Sequence, residues 1–308
     1  MPDVAYHHAF GQDVRAALSP ETRGMLSDAP FLFALYGPDI WFLYQPWKRR
    51  QGRGRRMHTT RCGDFLTALA LRARDGESRE EIFSYLAGFL CHYALDSTLH
   101  PYIVWQTTET WPFPEAHRDM EHAMDAALLK REGFWGERHP VTDHHMTRIQ
   151  LPESLDADLD AVYGEVYGWR NVRSALNRSY LRYRKLYRFM EKPRSLFAFL
   201  ATVIPTHTVR SISYSRSSFL DLDAENTEHQ AWKWPCAPEQ TSAESAEELY
   251  ARALEDAVRM IEDCRAFAAD GAFDEAELRR RLGNRSYLSG LDADDPRNQR
   301  VRSLRPPE

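Results

Sequence analysis

The chain has 308 residues, of which 43% are hydrophobic and 28% are charged, and its formal net charge is −5. This length and composition are typical of a globular protein with a sizeable core, and the acidic balance argues against a generally basic, nucleic-acid-binding surface. The four cysteines are far apart and form no CxxC pair, which argues against a disulfide framework and against a thiolate zinc site.

The N-terminal segment, MPDVAYHHAFGQ, has neither a basic start nor an apolar run of roughly 7–15 residues. It therefore carries no recognisable secretory signal, and we expect a cytoplasmic protein. The longest apolar stretch, residues 82–95, is interrupted by His92 and is shorter than the roughly 20 residues that span a bilayer. No transmembrane helix is predicted.

Apolar residues recur three and four positions apart through most of the chain, whereas alternating β-branched runs closed by tight turns are nearly absent. This pattern predicts an all-α fold. The predicted helices cover residues 9–18, 62–74, 78–105, 115–132, 155–167, 172–191, 195–203, 243–269 and 274–282. Ser78 and Glu81 have the spacing of a capping box, which would begin the third of these helices.

The domain organisation is predicted to be simple. One helical domain is expected over residues 1–290, because no repeat or linker marks a boundary inside it, and residues 224–247 are expected to form a long irregular connection across it. The charged, proline-bearing stretch 291–308 is predicted to be a disordered tail.

The helix predicted over residues 78–105 contains an unusual row of ionisable side chains. Its sequence LAGFLCHYALDSTLHPY is almost wholly apolar, yet His92, Asp96 and His100 recur at every fourth position and so lie on one face. Burying a carboxylate requires protonation, a cationic partner or a metal ion. A hydrogen-bonded His–Asp pair in the core would explain one such spacing, but three aligned residues favour a metal site.

The next predicted helix adds His117 and Glu121, again four residues apart. Seven of the twelve histidines lie between residues 92 and 145. Nitrogen and oxygen ligands without thiolates suit zinc in a catalytic site that keeps one ligand position open.

Several segments carry a resemblance to a known family: AYHHAFG, YGPDI, RRMH, GFLCHYALDSTLHPY, HRDME and LDAENTEHQAWKWP. Across them the chain resembles the bacterial zinc-dependent phospholipase C family, whose helical fold is shared with fungal single-strand-specific nucleases. The specific part is the H-x-x-x-D-x-x-x-H row with its following H-x-x-x-E, whereas single pieces such as Pro-Asp are common.

The resemblance implies two zinc ions. The implied ligands of the first are Asp39, His58, His92 and Asp96. Those of the second are His100, His117 and Glu121. Because the spacing from Asp96 to His100 is shorter than in the family, His122 is an alternative ligand to His100.

A third zinc would use His7 and share Asp96. In the secreted members this ion is also bound by the amino group and carbonyl of a processed N-terminal tryptophan, which this sequence does not show, so the third ion is left open. His8 and the pair His144 and His145 are competing candidates, although a solvated loop is the favoured interpretation of the pair.

Clustered zinc ions predict hydrolysis of a phosphoester or phosphodiester bond by metal-activated water. Asp96 would bridge two ions, and Asp39 or a nearby carboxylate would accept a proton. Asp125 is either a partner that orients a ligand or a surface acid. The expected substrate is a small phosphoester or a phospholipid head group, with peripheral membrane contact. A nuclease or nucleotidase on the same fold and a non-catalytic zinc-stabilised protein are the alternatives.

Three further segments each have two interpretations. KRRQGRGRRMHTTR places seven positive charges around His58 on a predicted flexible loop, which is either solvated or guides an anionic substrate. In residues 173–188 the tyrosines recur at helical spacing among arginines, which favours a packed face over nucleic-acid stacking. In DAENTEHQAWKWP, Trp232 and Trp234 would either wall a head-group pocket or fasten the segment to the core.

Overall fold

The computed structural model describes residues 3–44, 52–110, 116–191 and 223–299. The α-helices in these ranges are α1 (Val4–Ala17), α2 (Pro20–Gly24), α3 (Asp28–Ala34), α4 (Arg53–Thr59), α5 (Cys62–Asp75), α6 (Arg79–Trp105), α7 (Ala116–Arg131), α8 (Pro140–His144), α9 (Asp156–Tyr167), α10 (Val172–Met190), α11 (Ala246–Asp270) and α12 (Glu275–Leu282). A 3-10 helix spans Gly37–Leu43. Two short antiparallel strands, β1 (Trp232–Trp234) and β2 (Ala237–Ser242), form the one sheet of the described residues. The predicted all-α fold is confirmed.

Helix α6 is the centre of the fold. Every residue from Ile82 to Val104 is buried, and the helix packs against α3, α5 and α11. A helix that is apolar on all sides is stable in water only when other elements surround it. The polar side chains of α6 are therefore enclosed by protein, which is the condition under which ionisable groups need partners.

The start of α6 differs from the prediction. The Ser78 side chain caps nothing in the helix: its hydroxyl donates to the carbonyl of Ser154 at 2.7 Å, and its backbone N–H donates to Asp158 at 3.1 Å. The predicted capping box is wrong, because the neighbouring segment at the start of α9 supplies the partners. A capping box does begin α11, where Ser245 and Glu248 each accept the other's backbone N–H.

The long helices lie close to their predicted positions, although α1 begins five residues earlier than expected. Helices α2, α3, α4 and α8 were not predicted, and the helix predicted over residues 195–203 lies outside the described residues. The segment 224–247, predicted to be irregular, contains the β1–β2 hairpin.

The C-terminal boundary at residue 290 stays a prediction. Residues 291–299 are described, and there the Asn298 side chain is buried and donates to the carbonyl of Asp292 at 2.6 Å. The remainder of the predicted tail, 300–308, lies outside the described residues. Among the described helices, none is both long enough and apolar enough to cross a membrane.

The close packing of α3 on α6 depends on Gly88. A Cβ at this position would overlap the carbonyl oxygen of Phe31 and lie 2.9 Å from the Cβ of Ala34. We predict that Gly88→Ala lowers the free energy of unfolding by about 1–3 kcal/mol, the range for overpacking. Alanine's higher helix propensity, worth about 1 kcal/mol, would offset only part of this loss.

Urea unfolding of the metal-free protein measures this change. The matched control is Gly24→Ala, because a Cβ at Gly24 meets nothing within 4 Å. Equal stability of Gly88→Ala and the wild type would contradict the packing described for α3 and α6.

Candidate metal centre

The ionisable row of α6 points to one side of the helix. His92, Asp96 and His100 are each at most 1% exposed. The Nε2 atom of His92 lies 3.1 Å from Oδ2 of Asp96, and the Nδ1 atom of His100 lies 3.7 Å from the same oxygen. The three side chains therefore lie on one face of α6, as predicted, but the ligand atoms of His100 group with His117 and Glu121 and not with those of His92 and Asp96.

Helix α1 adds a third imidazole to this face. The Nε2 atom of His7 lies 3.2 Å from Oδ1 of Asp96, and the His7 ring stacks on that of His92 with centroids 4.0 Å apart. The two carboxylate oxygens of Asp96 therefore face different imidazoles. Ligand atoms of His7, His92 and Asp96 all lie within 4.8 Å of one another.

The 3-10 helix and α4 complete the buried part of the site. His58 Nε2 lies 3.2 Å from Oδ1 of Asp39 and 3.9 Å from Oδ2 of Asp96. Asp39, His58 and His92 form a second group whose ligand atoms lie within 4.8 Å of one another. Because an imidazole nitrogen has one lone pair, His92 can bind only one ion, whereas a carboxylate such as Asp96 can bind two.

Backbone carbonyls set the tautomers of these imidazoles. The Nδ1 atom of His92 is 3.0 Å from the carbonyl of Leu35, and that of His58 is 2.7 Å from the carbonyl of Gly54. A carbonyl only accepts, so each Nδ1 carries a proton, and in the neutral imidazole Nε2 carries the lone pair. Such contacts are typical of histidines that bind metals.

A third group lies where α6 meets α7. Ligand atoms of His100, His117 and Glu121 lie within 4.8 Å of one another, and His117 Nε2 is 2.9 Å from Glu121. The Nδ1 atom of His100 donates to the carbonyl of Tyr287 at 2.7 Å, which leaves Nε2 with the lone pair. The His117 side chain is 33% exposed, so this group is more open to solvent than the groups around Asp96.

The electrostatics of the site are governed by Asp96. Burial alone would raise the pKa of its carboxyl, but the imidazoles of His92 and His100 hold that pKa well below its usual range. Burial lowers the pKa of His7, and the nearby His92 adds to this effect. An ionised carboxylate therefore faces an imidazole that favours its neutral, metal-binding form.

Many polar atoms at the centre have unused hydrogen-bonding capacity. At this centre, six buried atoms of described residues form no hydrogen bond, although some of them face each other as ion pairs: His7 Nδ1 and Nε2, Asp39 Oδ1, His92 Nε2, and Asp96 Oδ1 and Oδ2. A buried polar atom without a partner costs about 1–3 kcal/mol. Nitrogen and carboxylate donors at such spacing fit a zinc ion, which would bind these lone pairs together.

The competing histidines lie outside these three groups. His122 Nε2 is 3.0 Å from Asp3, so the alternative to His100 is not supported by its position. His8 contacts His145, with their Nδ1 atoms 3.3 Å apart. The solvated loop expected for the pair is wrong, because His144 ends α8, where its ring stacks on Phe134, and His145 is buried.

Asp125 has a role that neither interpretation anticipated. Its two oxygens accept the backbone N–H groups of Ala5 and Tyr6 at 2.9 and 3.0 Å. These amides belong to the first turn of α1, where helices have unpaired donors and attract negative charge. Asp125 therefore caps the helix that carries His7, and it is buried and not a surface acid.

The basic segment around His58 is not a loop where it is described, because residues 53–59 form α4. The packed face predicted for residues 173–188 is confirmed, since Tyr180 and Tyr187, together with Met190, are buried in α10. In the segment before α11, the buried Trp232 indole donates to the carbonyl of Glu244 at 3.1 Å, which favours fastening to the core for this residue. Trp234, in contrast, lines a cavity.

Comparison with known proteins identifies a family. The model of the zinc-dependent phospholipase C family matches residues 6–189, more than half of the chain. The matched region contains all members of the three groups: His7, Asp39, His58, His92, Asp96, His100, His117 and Glu121. No curated protein and no solved structure matches the chain.

The cap on α1 yields a testable consequence. We predict that Asp125→Ala lowers the free energy of unfolding of the metal-free protein by about 1–3 kcal/mol, because the amides of Ala5 and Tyr6 lose their acceptors. Denaturant unfolding in the presence of a chelator measures this. Asp270→Ala is the control, since the Asp270 side chain is exposed and its ion pair with Arg265 is worth under about 1 kcal/mol. Equal losses in the two variants would refute the capping role.

Proposed function

The chain belongs to the zinc-dependent phospholipase C family, and from that premise we propose that it hydrolyses phosphodiester bonds with zinc-activated water. The supporting observation is the set of buried nitrogen and carboxylate atoms around Asp96 that form no hydrogen bond among the described residues. Divalent cations would satisfy these atoms at once. A structural zinc site is closed by protein ligands, whereas a catalytic site keeps one position open. The group of His100, His117 and Glu121 is partly exposed, as a catalytic site requires.

The proposed ion ligands follow the geometry of the three groups. One zinc is assigned to Asp39, His58, His92 and Asp96. A second is assigned to His100, His117 and Glu121. His7 and the Oδ1 atom of Asp96 would hold a third, for which these residues supply only part of a ligand set.

Bound zinc lowers the pKa of water to roughly 7 and neutralises charge on phosphoryl oxygens. The residues of the chain supply the remaining requirements. Asp96 contributes a negative charge between the imidazoles, and the carbonyls of Leu35 and Gly54 keep His92 and His58 in the metal-binding tautomer. Asp39, whose Oδ1 atom forms no hydrogen bond among the described residues, is the proposed acceptor of the proton released from the attacking water.

We infer that the substrate is a lipid head group or another small phosphodiester. A nuclease would need cations available along a strand of nucleic acid. Within the described part of the basic segment, Arg53 lies over aromatic rings, and Arg56 contacts the ring and the carbonyl of Tyr167. These contacts favour a structural role for the two arginines over an extended nucleic-acid track.

The zinc assignment predicts the effect of Asp96→Asn. The amide cannot bridge two cations as a carboxylate does, so the variant should lose at least one zinc per chain relative to the wild type. Elemental analysis after dialysis measures the number of zinc ions per chain in each protein. Asp158→Asn is the matched control, because Asp158 is also buried but accepts from the backbone of Ser78, away from the centre. Full zinc content in Asp96→Asn would reject the shared carboxylate.

Substrate class is tested by turnover. We predict that the zinc-loaded protein hydrolyses a generic aryl phosphodiester and short-chain phosphatidylcholine, with lower turnover of single-stranded DNA. A chelator should abolish this hydrolysis and added zinc should restore it. Preference for single-stranded DNA would favour a nuclease, and hydrolysis of none of the three by zinc-loaded protein would favour a non-catalytic metal protein.

A further inference from the structure

Arg53, the first residue of α4, has an unusual aromatic environment. Its guanidinium carbon lies 4.3 Å from the ring centroid of Tyr44, 4.5 Å from that of Trp169 and 4.7 Å from that of Trp41. We call these four side chains the arginine clamp. Cations are attracted to the faces of aromatic rings within about 6 Å, and the attraction strengthens when water is excluded.

The aromatic rings of the clamp offset the energetic cost of burying part of the Arg53 guanidinium. The Nη1 atom of Arg53 is buried and forms no hydrogen bond with any described residue. A charged group in this position loses hydration without gaining a hydrogen bond at that atom. The faces of the three aromatic rings offset this loss, so the position of Arg53 depends on all three rings.

The clamp joins the two segments that carry Asp39 and His58. Trp41 belongs to the 3-10 helix, and Tyr44 follows it directly. Arg53 begins the helix whose last turn contains His58. Residues 45–51, between the two sides of the clamp, lie outside the described residues.

Contacts next to the clamp extend this link to the imidazole itself. Gly54, which follows Arg53, accepts the Nδ1–H of His58 through its carbonyl at 2.7 Å. A Cβ on Gly54 would lie 2.9 Å from the ring of Phe42, so the two segments touch here. The Phe42 ring also stacks on His58, with centroids 5.3 Å apart. Any shift of α4 at Arg53 therefore moves the carbonyl that orients His58.

We propose that Arg53 is a positioning residue for the metal centre: the clamp holds α4 against the 3-10 helix so that His58 and Asp39 face the same ion. This inference rests on the zinc centre proposed above. It assigns Arg53 to the protein's own architecture, because its guanidinium lies against the rings of the clamp.

Three variants test the proposal. Arg53→Met keeps an unbranched stem and removes the charge, whereas Arg53→Lys keeps the charge without the planar guanidinium. Arg56→Met is the matched control on the same helix, since Arg56 lies 5.4 Å from a single ring, that of Tyr167. Hydrogen–deuterium exchange of residues 53–59 in metal-free protein reports how firmly α4 is held, and competition with a chromophoric chelator gives the zinc affinity of each variant.

Arg53→Met is expected to speed amide exchange in α4 and to weaken the tighter zinc binding by about tenfold or more, the range for loss of groups that orient metal ligands. Arg53→Lys should lose less affinity, and Arg56→Met should match the wild type in zinc affinity. Faster exchange with unchanged zinc affinity in Arg53→Met would overturn the positioning role and leave only a structural contact.

The experiment separates this inference from the function on which it rests. A wild type that binds no zinc would contradict the proposed centre, and the role of Arg53 would fall with it. A wild type that binds zinc, together with an Arg53→Met variant that binds it equally well, would contradict the positioning role alone. If Arg53→Met does not fold, Arg53→Lys decides: reduced zinc affinity supports the role and wild-type affinity contradicts it.

Discussion

The structure depends on how the negative charge of one buried carboxylate, that of Asp96, is offset by positive charge. Asp96 lies in the middle of α6, fully enclosed by protein, and an ionised carboxylate at this depth is costly unless positive charge faces it. The side chains around it are imidazoles from α1, α4 and α6. Burial lowers the pKa of the His7 imidazole, whereas for His92 the effect of burial is outweighed by Asp96, which raises its pKa. Divalent cations at the proposed centre would supply further positive charge and would also use the nitrogen lone pairs.

Backbone carbonyls orient the imidazole rings and therefore the lone pairs of their nitrogens. The carbonyls of Leu35, Gly54 and Tyr287 come from three different parts of the chain, and each accepts an imidazole Nδ1–H. Each contact fixes both the tautomer and the direction of the ring. Helix packing therefore determines the geometry of the candidate metal site, because a displacement of α3 or α4 would turn a potential ligand.

The sequence predicted the long helices and the row on α6 because both follow from helical periodicity, and the resemblance supplied Asp39 and His58. Partners distant in the chain carry no such signal. Ser78 and Glu81 have the spacing of a capping box, but Asp158 takes the backbone N–H of Ser78. Gly54 suggested a flexible loop, whereas in α4 it allows close contact with an aromatic ring. Neither effect is visible without the tertiary structure.

The central claim is that divalent cations lie against Asp96. Anomalous diffraction from crystals of the zinc-loaded protein, recorded on both sides of the zinc absorption edge, tests it most directly. The account predicts anomalous peaks within bonding distance of Asp96, with further density beside His117 and Glu121. Peaks confined to the surface, with Asp96 contacting only imidazoles and water, would contradict it.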